Sequence, residues 1–382
     1  MMTGKNITRP CWAEVDLGAV AHNVREIRRV VKPETKIMAV VKANGYGHGA
    51  VQVARTALKH GADYLGVAIL EEGIKLRAEG IKAPILVLGY ITLDQVEEVL
   101  KHHVTATVYT WELARALSAK AVAKGEKAKV HLKIDTGMGR IGFLPQRETV
   151  EIIKKICSLD GLLVEGIFTH FAVADERDKT YTRQQFEKFT RLIADLKQEG
   201  IQIPLKHAAN SAAIIDLPET HLDLVRAGII LYGLYPSNQV DRERINLKPA
   251  LEMKAKISFV KKVCAGTSIS YGRRFIAPGE RVIASLPLGY ADGYTRRLSN
   301  QGEILLGGKR VPVVGTVCMD QFMVDATQVP AVQMGDEAVI IGRQGTEFIP
   351  VEEIAERLNT INYEIICMLS ERIPRIYLND EA

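Results

Sequence analysis

Long apolar runs are missing from this 382-residue sequence. The longest stretch without Asp, Glu, Lys or Arg is the fourteen residues from Ala227 to Val240, too short to span a bilayer and interrupted by Gly, Pro and Asn. An apolar leader is missing too, because Lys5, Arg9, Glu14 and Asp16 break up the N-terminus and argue against an export signal. Cysteine is sparse. The five present (Cys11, Cys157, Cys264, Cys318 and Cys367) form no close pair and leave an odd one, so they read as reduced thiols of a cytoplasmic protein. No metal site is expected. Charge of one sign is also scarce: the net charge is +5, with no basic block interleaved with aromatics, which disfavours nucleic acid as a partner. There is no internal repeat and no low-complexity tract. Membrane, collagenous, disordered and disulfide-scaffold classes drop out, leaving a soluble cytoplasmic enzyme as the expectation.

What is present is ordinary globular composition, 47% apolar and 25% charged, over a length that suits two domains. From about residue 36 to 233, β-branched runs alternate with charged segments of helical period. The expected strands are Lys36–Val41, Tyr64–Ala68, Pro84–Leu88, Val104–Tyr109, Lys129–Asp135, Leu163–Thr169, Leu205–Ala208 and Leu222–Arg226. Amphipathic stretches such as Leu70–Glu79, Thr110–Ala123 and Tyr181–Glu199 lie between them, and many close on a glycine, as at Gly61, Gly80, Gly125 and Gly200. Eight strands alternating with helices suit a (β/α)8 barrel, although a doubly wound sheet gives a similar pattern and counting does not separate them.

After about residue 247 helical periodicity fades. Short runs follow at Leu251–Cys264, Arg281–Leu288, Glu303–Leu306, Val311–Val317 and Ala338–Ile341, with Gly307-Gly308 marking a tight hairpin and Val351–Leu358 a closing helix. The expected division is a barrel over 1–246 and a smaller, mostly β domain over 247–382. Ser237–Leu247 reads as the linker.

In such a barrel the chemistry sits where strands end. Lys42 ends the first run, Ile37-Met38-Ala39-Val40-Val41-Lys42, and is followed by Ala43-Asn44-Gly45-Tyr46-Gly47-His48-Gly49. A lysine placed there can be desolvated, which lowers its pKa and frees the amine to act as nucleophile or base. Taken alone, a lysine after a strand more often points to water. The alternating glycines favour a close approach of backbone to a ligand.

The segment Ala39–Gly49 resembles the pyridoxal-phosphate attachment signature of the alanine racemases, in which this lysine carries the cofactor covalently. The similarity can be followed from Trp12 to Tyr377 in the family's order, with no departure at the motif residues. Gly45 stands where Gly or Ala is usual. The resemblance implies a (β/α)8 barrel followed by a β domain, in agreement with the two patterns above.

It also implies residue roles. Arg226 would face the pyridine nitrogen, buttressed by His207. A guanidinium stays protonated at accessible pH and cannot give its proton to the ring, so the ring nitrogen would stay unprotonated and the carbanion at Cα would be short-lived. Tyr46, Ser211, Gly228, Ile229 and Tyr363 would hold the phosphate; Ser211 alone would read as a helix N-cap. Lys42 and Tyr271, the latter in Ser270-Tyr271-Gly272-Arg273, would be the two bases on opposite faces of the substrate. A free phenol has a pKa near 10, so Tyr271 needs help, and His170 in Phe168-Thr169-His170-Phe171 matches the histidine that bonds it.

Gly137-Met138-Gly139-Arg140-Ile141-Gly142 fits G-x-G-x-x-G, yet Phe143-Leu144-Pro145 interrupts the helix a dinucleotide site would need. The resemblance instead makes Arg140 a substrate-carboxylate ligand, supported by Lys133, which is often carbamylated in the family. Met319 would donate its backbone N–H to the carboxylate, Asp320 would lie nearby, and Tyr290 would narrow the entrance to methyl-sized side chains. In the family the tyrosine reaches the site from the other subunit of a homodimer. The expected activity is therefore interconversion of L- and D-alanine for peptidoglycan supply. Alternatives are a broader amino-acid racemase, such as one acting on serine, and a non-catalytic pyridoxal-phosphate-binding protein. A related decarboxylase would carry an acid where Arg226 stands.

Overall fold

The computed structural model describes residues 8–380, so part of the N-terminal stretch read for export signals lies outside the described residues. By their contacts the residues divide into two units. One comprises Ala19–Gly45 and Ala50–Pro249; the other comprises residues 8–18, the short segment Tyr46–Gly49, and residues 250–380.

The first unit is built on eight parallel strands: β2 (Lys36–Val40), β3 (Tyr64–Val67), β4 (Ile85–Val87), β5 (Thr105–Val108), β6 (Ala128–Lys133), β7 (Leu162–Phe168), β8 (Leu205–His207) and β9 (Leu224–Ala227), preceded in the chain by β1 (Cys11–Asp16). Their order in the sheet is β8-β7-β6-β5-β4-β3-β2-β9. The ends close through Arg226 N–H to Ala209 O (3.0 Å) and Asp223 N–H to Lys206 O (3.1 Å). Runs such as Ile37–Val40 and Ile85–Val87 are apolar throughout because both faces are covered, one by helices and one by the barrel interior. The eight expected strands are all found, each within two residues of its observed bounds. The helices between them stop where expected; Gly125, in the left-handed conformation, caps Trp111–Lys124.

Two features differ from the sequence reading. The segment 237–247 is not a loose linker: Tyr235 donates to Ile245 O (2.8 Å), Asn246 N–H to Glu26 (2.9 Å) and Arg29 to Arg244 O (2.8 Å), which hold it to the barrel unit. And β1, unassigned from sequence, joins the second unit rather than the barrel. It pairs antiparallel with β10 (Leu251–Lys256) and parallel with a closing strand, Arg375–Leu378.

The second unit is mostly β, as expected. Beyond β10 come β11 (Phe259–Val263), β12 (Ser268–Ile269), β13 (Phe275–Ile276), β14 (Arg281–Leu286), β15 (Glu303–Leu306), β16 (Lys309–Pro312), β17 (Phe322–Asp325), β18 (Glu337–Gln344), β19 (Glu347–Ile349) and β20 (Arg375–Leu378). The large sheet runs β16-β15-β18-β10-β1-β20, with β19 on β18; β11-β14-β17 and β12-β13 form smaller sheets. Gly307-Gly308 joins β15 to β16, and the helix Val351–Leu358 follows β19. Val263, Ile269, Ala277, Ile283 and Val314 bury together under the smaller sheets. Among the described residues no helix is long and apolar enough to cross a membrane.

Candidate active site

Backbone shape around Lys42 is unusual. The chain leaves β2 and makes one left-handed turn, with Ala43, Asn44, Gly45 and Tyr46 all at φ between 50° and 63°. Left-handed turns cost L-residues about 1–2 kcal/mol each, so the surroundings must hold this one. Gly45 N–H donates to Val41 O (2.9 Å), Ala43 N–H to Glu72 (2.6 Å), and Asn44 accepts from Ala50 N–H (3.1 Å). The turn leaves Lys42 half-buried directly after the strand. Gly47, at φ 83°, passes so near Ile366 O that a side chain there would collide with it.

Within the barrel unit, most of the other residues singled out lie at strand ends. Arg226, in β9, is 3% exposed. Its Nη1 donates to His207 Nδ1 (2.9 Å), and its Nη2 to Thr169 O (2.8 Å), Ala208 O (2.9 Å) and His170 Nδ1 (3.2 Å). Burial lowers its pKa to about 9, with Arg140 adding to the effect, so the guanidinium is charged at neutral pH. His207 and His170 are held well below the ordinary histidine value, by desolvation first and the Arg226 charge next. Both rings are therefore neutral acceptors toward the arginine.

Lys133, the last residue of β6, is 3% exposed, with Nζ 4.5 Å over the Phe168 ring. Desolvation, followed by Arg226 and Arg140, pushes its amine well below the usual lysine pKa, against the opposing pull of Asp135. Arg140 is exposed on the next loop. That loop is organised by Asp135, which accepts from the N–H groups of Gly137 (2.9 Å), Gly139 (3.0 Å) and Arg140 (3.1 Å). The amides a dinucleotide would need are thus already taken by a carboxylate.

Ser211 is not the N-cap of its helix. Asn210 is, accepting from Ala213 N–H (3.1 Å), and Ser211 begins the helix Ser211–Asp216. Its Oγ accepts from Gly228 N–H (2.9 Å) and so joins the loops after β8 and β9, leaving the hydroxyl proton to donate. Ile229 opens the turn that follows. Helix-start amides and a hydroxyl at this corner are suited to an anion.

The remaining residues belong to the second unit. Tyr46 (6% exposed) and Tyr363 face each other, ring centroids 6.2 Å apart. Tyr271 is 72% exposed on a tight turn in which Ser270, Gly272 and Arg273 all have positive φ. Thr316 Oγ1 donates to Tyr271 O (2.8 Å), and Ser270 Oγ lies 3.4 Å from Cys318 Sγ. The Tyr290 turn packs on the same segment, Tyr290 N–H donating to Cys318 O (3.1 Å) and Ala291 N–H to Met319 O (3.1 Å). Asp320 accepts from Arg372 (2.8 Å). Tyr271, Tyr290, Met319 and Asp320 thus form one exposed cluster. The sequence reading missed His131, whose Nδ1 lies 2.9 Å from His207 Nε2; a lone histidine inside a strand carries no motif.

Comparison with known proteins finds relatives along nearly the whole chain. The family description "Alanine racemase, N-terminal domain" matches residues 15–236, and "Alanine racemase, C-terminal domain" matches residues 250–377. An alanine racemase from Desulforamulus reducens is 56% identical over 97% of this chain and 99% of its own length. The solved structure of alanine racemase from Clostridium difficile 630 superposes with a TM-score of 0.95 at 44% identity, covering 98% of each chain. A histidine racemase from Leuconostoc mesenteroides has a TM-score of 0.90 at 30% identity, covering 98% of this chain and 100% of its own.

Proposed function

Because the chain belongs to the alanine racemase family, we propose that it interconverts L- and D-alanine with pyridoxal phosphate bound at the strand ends of its barrel. The observation that carries this reading is Arg226, a buried guanidinium fixed on two neutral histidines and two carbonyls. The donor set fits the cofactor. Lys42 offers an amine for its aldehyde, and Arg226 offers a charged donor for the pyridine nitrogen. Ser211, whose Oγ is held by the Gly228 N–H, and Ile229 would make an anion corner, to which the resemblance adds Gly228, Tyr46 and Tyr363.

When bound, the cofactor withdraws electrons from the substrate Cα and acidifies its proton. The rest is the work of side chains. Lys42 takes or returns that proton on one face and Tyr271 on the other. Arg226, charged at neutral pH, would hydrogen-bond the ring nitrogen while keeping its own proton, which would favour return of the proton to Cα. His170 accepts from Arg226 at Nδ1; its own proton is then on Nε2, available to donate to the Tyr271 oxygen and favour the phenolate. Arg140 and the Met319 N–H hold the substrate carboxylate, with Asp320 nearby and Tyr290 limiting side-chain size.

Lys133 is suited to carbamylation because only a neutral amine attacks carbon dioxide. An N–C bond forms, one proton leaves, and the resulting anion answers the charge of Arg140. The exposure of Tyr271 on its turn supports delivery of this base into the barrel of a second copy in a homodimer. The free thiols support a cytoplasmic setting, and supply of D-alanine for peptidoglycan is the role that follows.

The histidine racemase likeness makes side-chain breadth the second reading. Chiral chromatography after incubating the protein with pyridoxal phosphate and L-alanine, beside serine and histidine, tests both. Rapid D-alanine with little D-serine or D-histidine supports the first reading. Equal turnover of larger substrates supports the second, and no inversion of any substrate overturns both.

A further inference from the structure

Behind Arg226 runs a line of hydrogen bonds whose direction is fixed at both ends. A guanidinium only donates, so His207 Nδ1 accepts from it (2.9 Å). Neutral His207 therefore carries its proton on Nε2, 2.9 Å from His131 Nδ1, which must accept in turn. His131 is left with its proton on Nε2, 3.4 Å from Glu165 Oε2, and an ionised carboxylate accepts. Both rings are 0% exposed. An extra proton on either would set donor against donor. Desolvation keeps His131 below its ordinary pKa even with Glu165 beside it, while the bond from His131 and the nearby Lys129 (3.3 Å) keep Glu165 low.

Strand β7 is shaped around this line. Val130 pairs with Val164 but His131 pairs with Gly166, so Glu165 is the extra residue of a bulge, the device by which a strand re-aims a side chain. Gly166 gives the imidazole its space, since a Cβ there would lie 2.5 Å from His131 Nδ1. Two residues on, Phe168 stacks on His207 with centroids 4.6 Å apart and planes 5° from parallel. Tyr64 bonds to the same Glu165 carboxylate.

We propose that His131 and Glu165 are positioning residues of the cofactor site, locking His207 in the single tautomer that anchors the Arg226 guanidinium. The proposal rests on the reading of that site as a pyridoxal-phosphate pocket. An acceptor at position 165 fixes the proton of His131, the free Nδ1 of His131 fixes that of His207, and the free Nδ1 of His207 fixes Arg226.

The test uses holoenzyme with nitrogen-15-labelled histidine, comparing the native protein with Glu165→Gln, which keeps an acceptor, and Glu165→Leu, which removes it. We expect Nε2-protonated His131 and His207 in the native protein and in Glu165→Gln, with cofactor dissociation constants within about twofold of each other. Glu165→Leu should show mixed tautomers, an about tenfold weaker hold on pyridoxal phosphate, the scale of one buried hydrogen bond lost, and a lower kcat at unchanged KM for alanine. Native His207 protonated on Nδ1, or doubly, would overturn the proposal even if no leucine variant folds. So would a Glu165→Leu protein with native tautomers and native affinity, or a Glu165→Gln protein as impaired as Glu165→Leu. If pyridoxal phosphate fails to bind while the native tautomers are as stated, the cofactor reading fails and the hydrogen-bond line stands.

Discussion

Gly49 and Tyr377 occupy each other's space: the backbone of Gly49, at φ 99°, runs against the Tyr377 hydroxyl so closely that no Cβ could stand between them. The last glycine of the lysine segment is therefore demanded by a residue near the far end of the chain. Gly49→Ala should destabilise the protein by about 2–4 kcal/mol, combining a strained φ with a displaced tyrosine, and urea unfolding measures it. A loss under about 0.5 kcal/mol would mean that the close approach is relieved without cost.

Lys42→Ala should remove covalent attachment of the cofactor and lower racemisation by about a thousandfold or more, given the usual worth of a positioned base plus the lost anchor. Borohydride reduction followed by mass analysis reads the attachment directly. Persistence of a cofactor adduct in the variant would point to another lysine.

Tyr271→Phe should lower kcat by about 10²–10⁴, the range for removing an acid/base group, and leave cofactor affinity within about twofold. The informative readout is exchange of the Cα proton with deuterium oxide. One enantiomer should still exchange without inverting, because Lys42 works its own face alone. Equal loss of exchange from both enantiomers would contradict the two-base assignment.

Dilution should separate binding from turnover. If Tyr271 serves a second copy, specific activity should fall as the dimer dissociates while Lys42 and Arg226 keep part of their hold on the cofactor. Sedimentation at assay concentrations, run beside the rate, decides it; a fully active monomer is the contrary result.

Acid should unfold this protein early. His131, His170, His207 and His221 all have folded-state pKa values below 6.5, chiefly through desolvation. Below about pH 6.5 the unfolded chain takes up protons that the folded chain refuses, so stability falls as pH falls, by up to about 1.4 kcal/mol per pH unit for each histidine. Carboxylates held low by partners, such as Glu26 at about 2, add their loss only in a more acidic window. The urea midpoint between about pH 7.5 and 5.5 reads these rings together with the Lys133 amine, which burial also holds low, and a flat midpoint there would mean these groups titrate normally.

Much of this was legible in the sequence. The barrel strands announced themselves because a strand buried on both faces must be apolar throughout, and the glycine stops because a left-handed cap favours glycine. Lys42, Arg226 and Tyr271 stood out through long motif segments. What stayed hidden depends on distant partners. Cys11–Asp16 mixes Glu14 and Asp16 into a short run, and only pairing with β10 and β20 makes it a strand. The segment 237–247 looked like a linker because it is polar, but its polar groups are spent on the barrel unit. Asn210, not Ser211, caps its helix, a choice between neighbours that only the backbone shows. His131 and Glu165 sit in strands without any pattern; Gly166 was the one clue, since a glycine inside a strand often marks a bulge or a close approach.

The placement of β1 has a consequence for how the molecule is made. A ribosome releases this strand before any barrel strand, but β10 follows about 240 residues later and β20 later still. At about 5–20 residues per second, β1 waits roughly 12–50 s for its first partner and longer for its second. All eight barrel strands emerge during that interval. The barrel can therefore form on the nascent chain while β1 remains unpaired, an open edge during synthesis that a chaperone could cover.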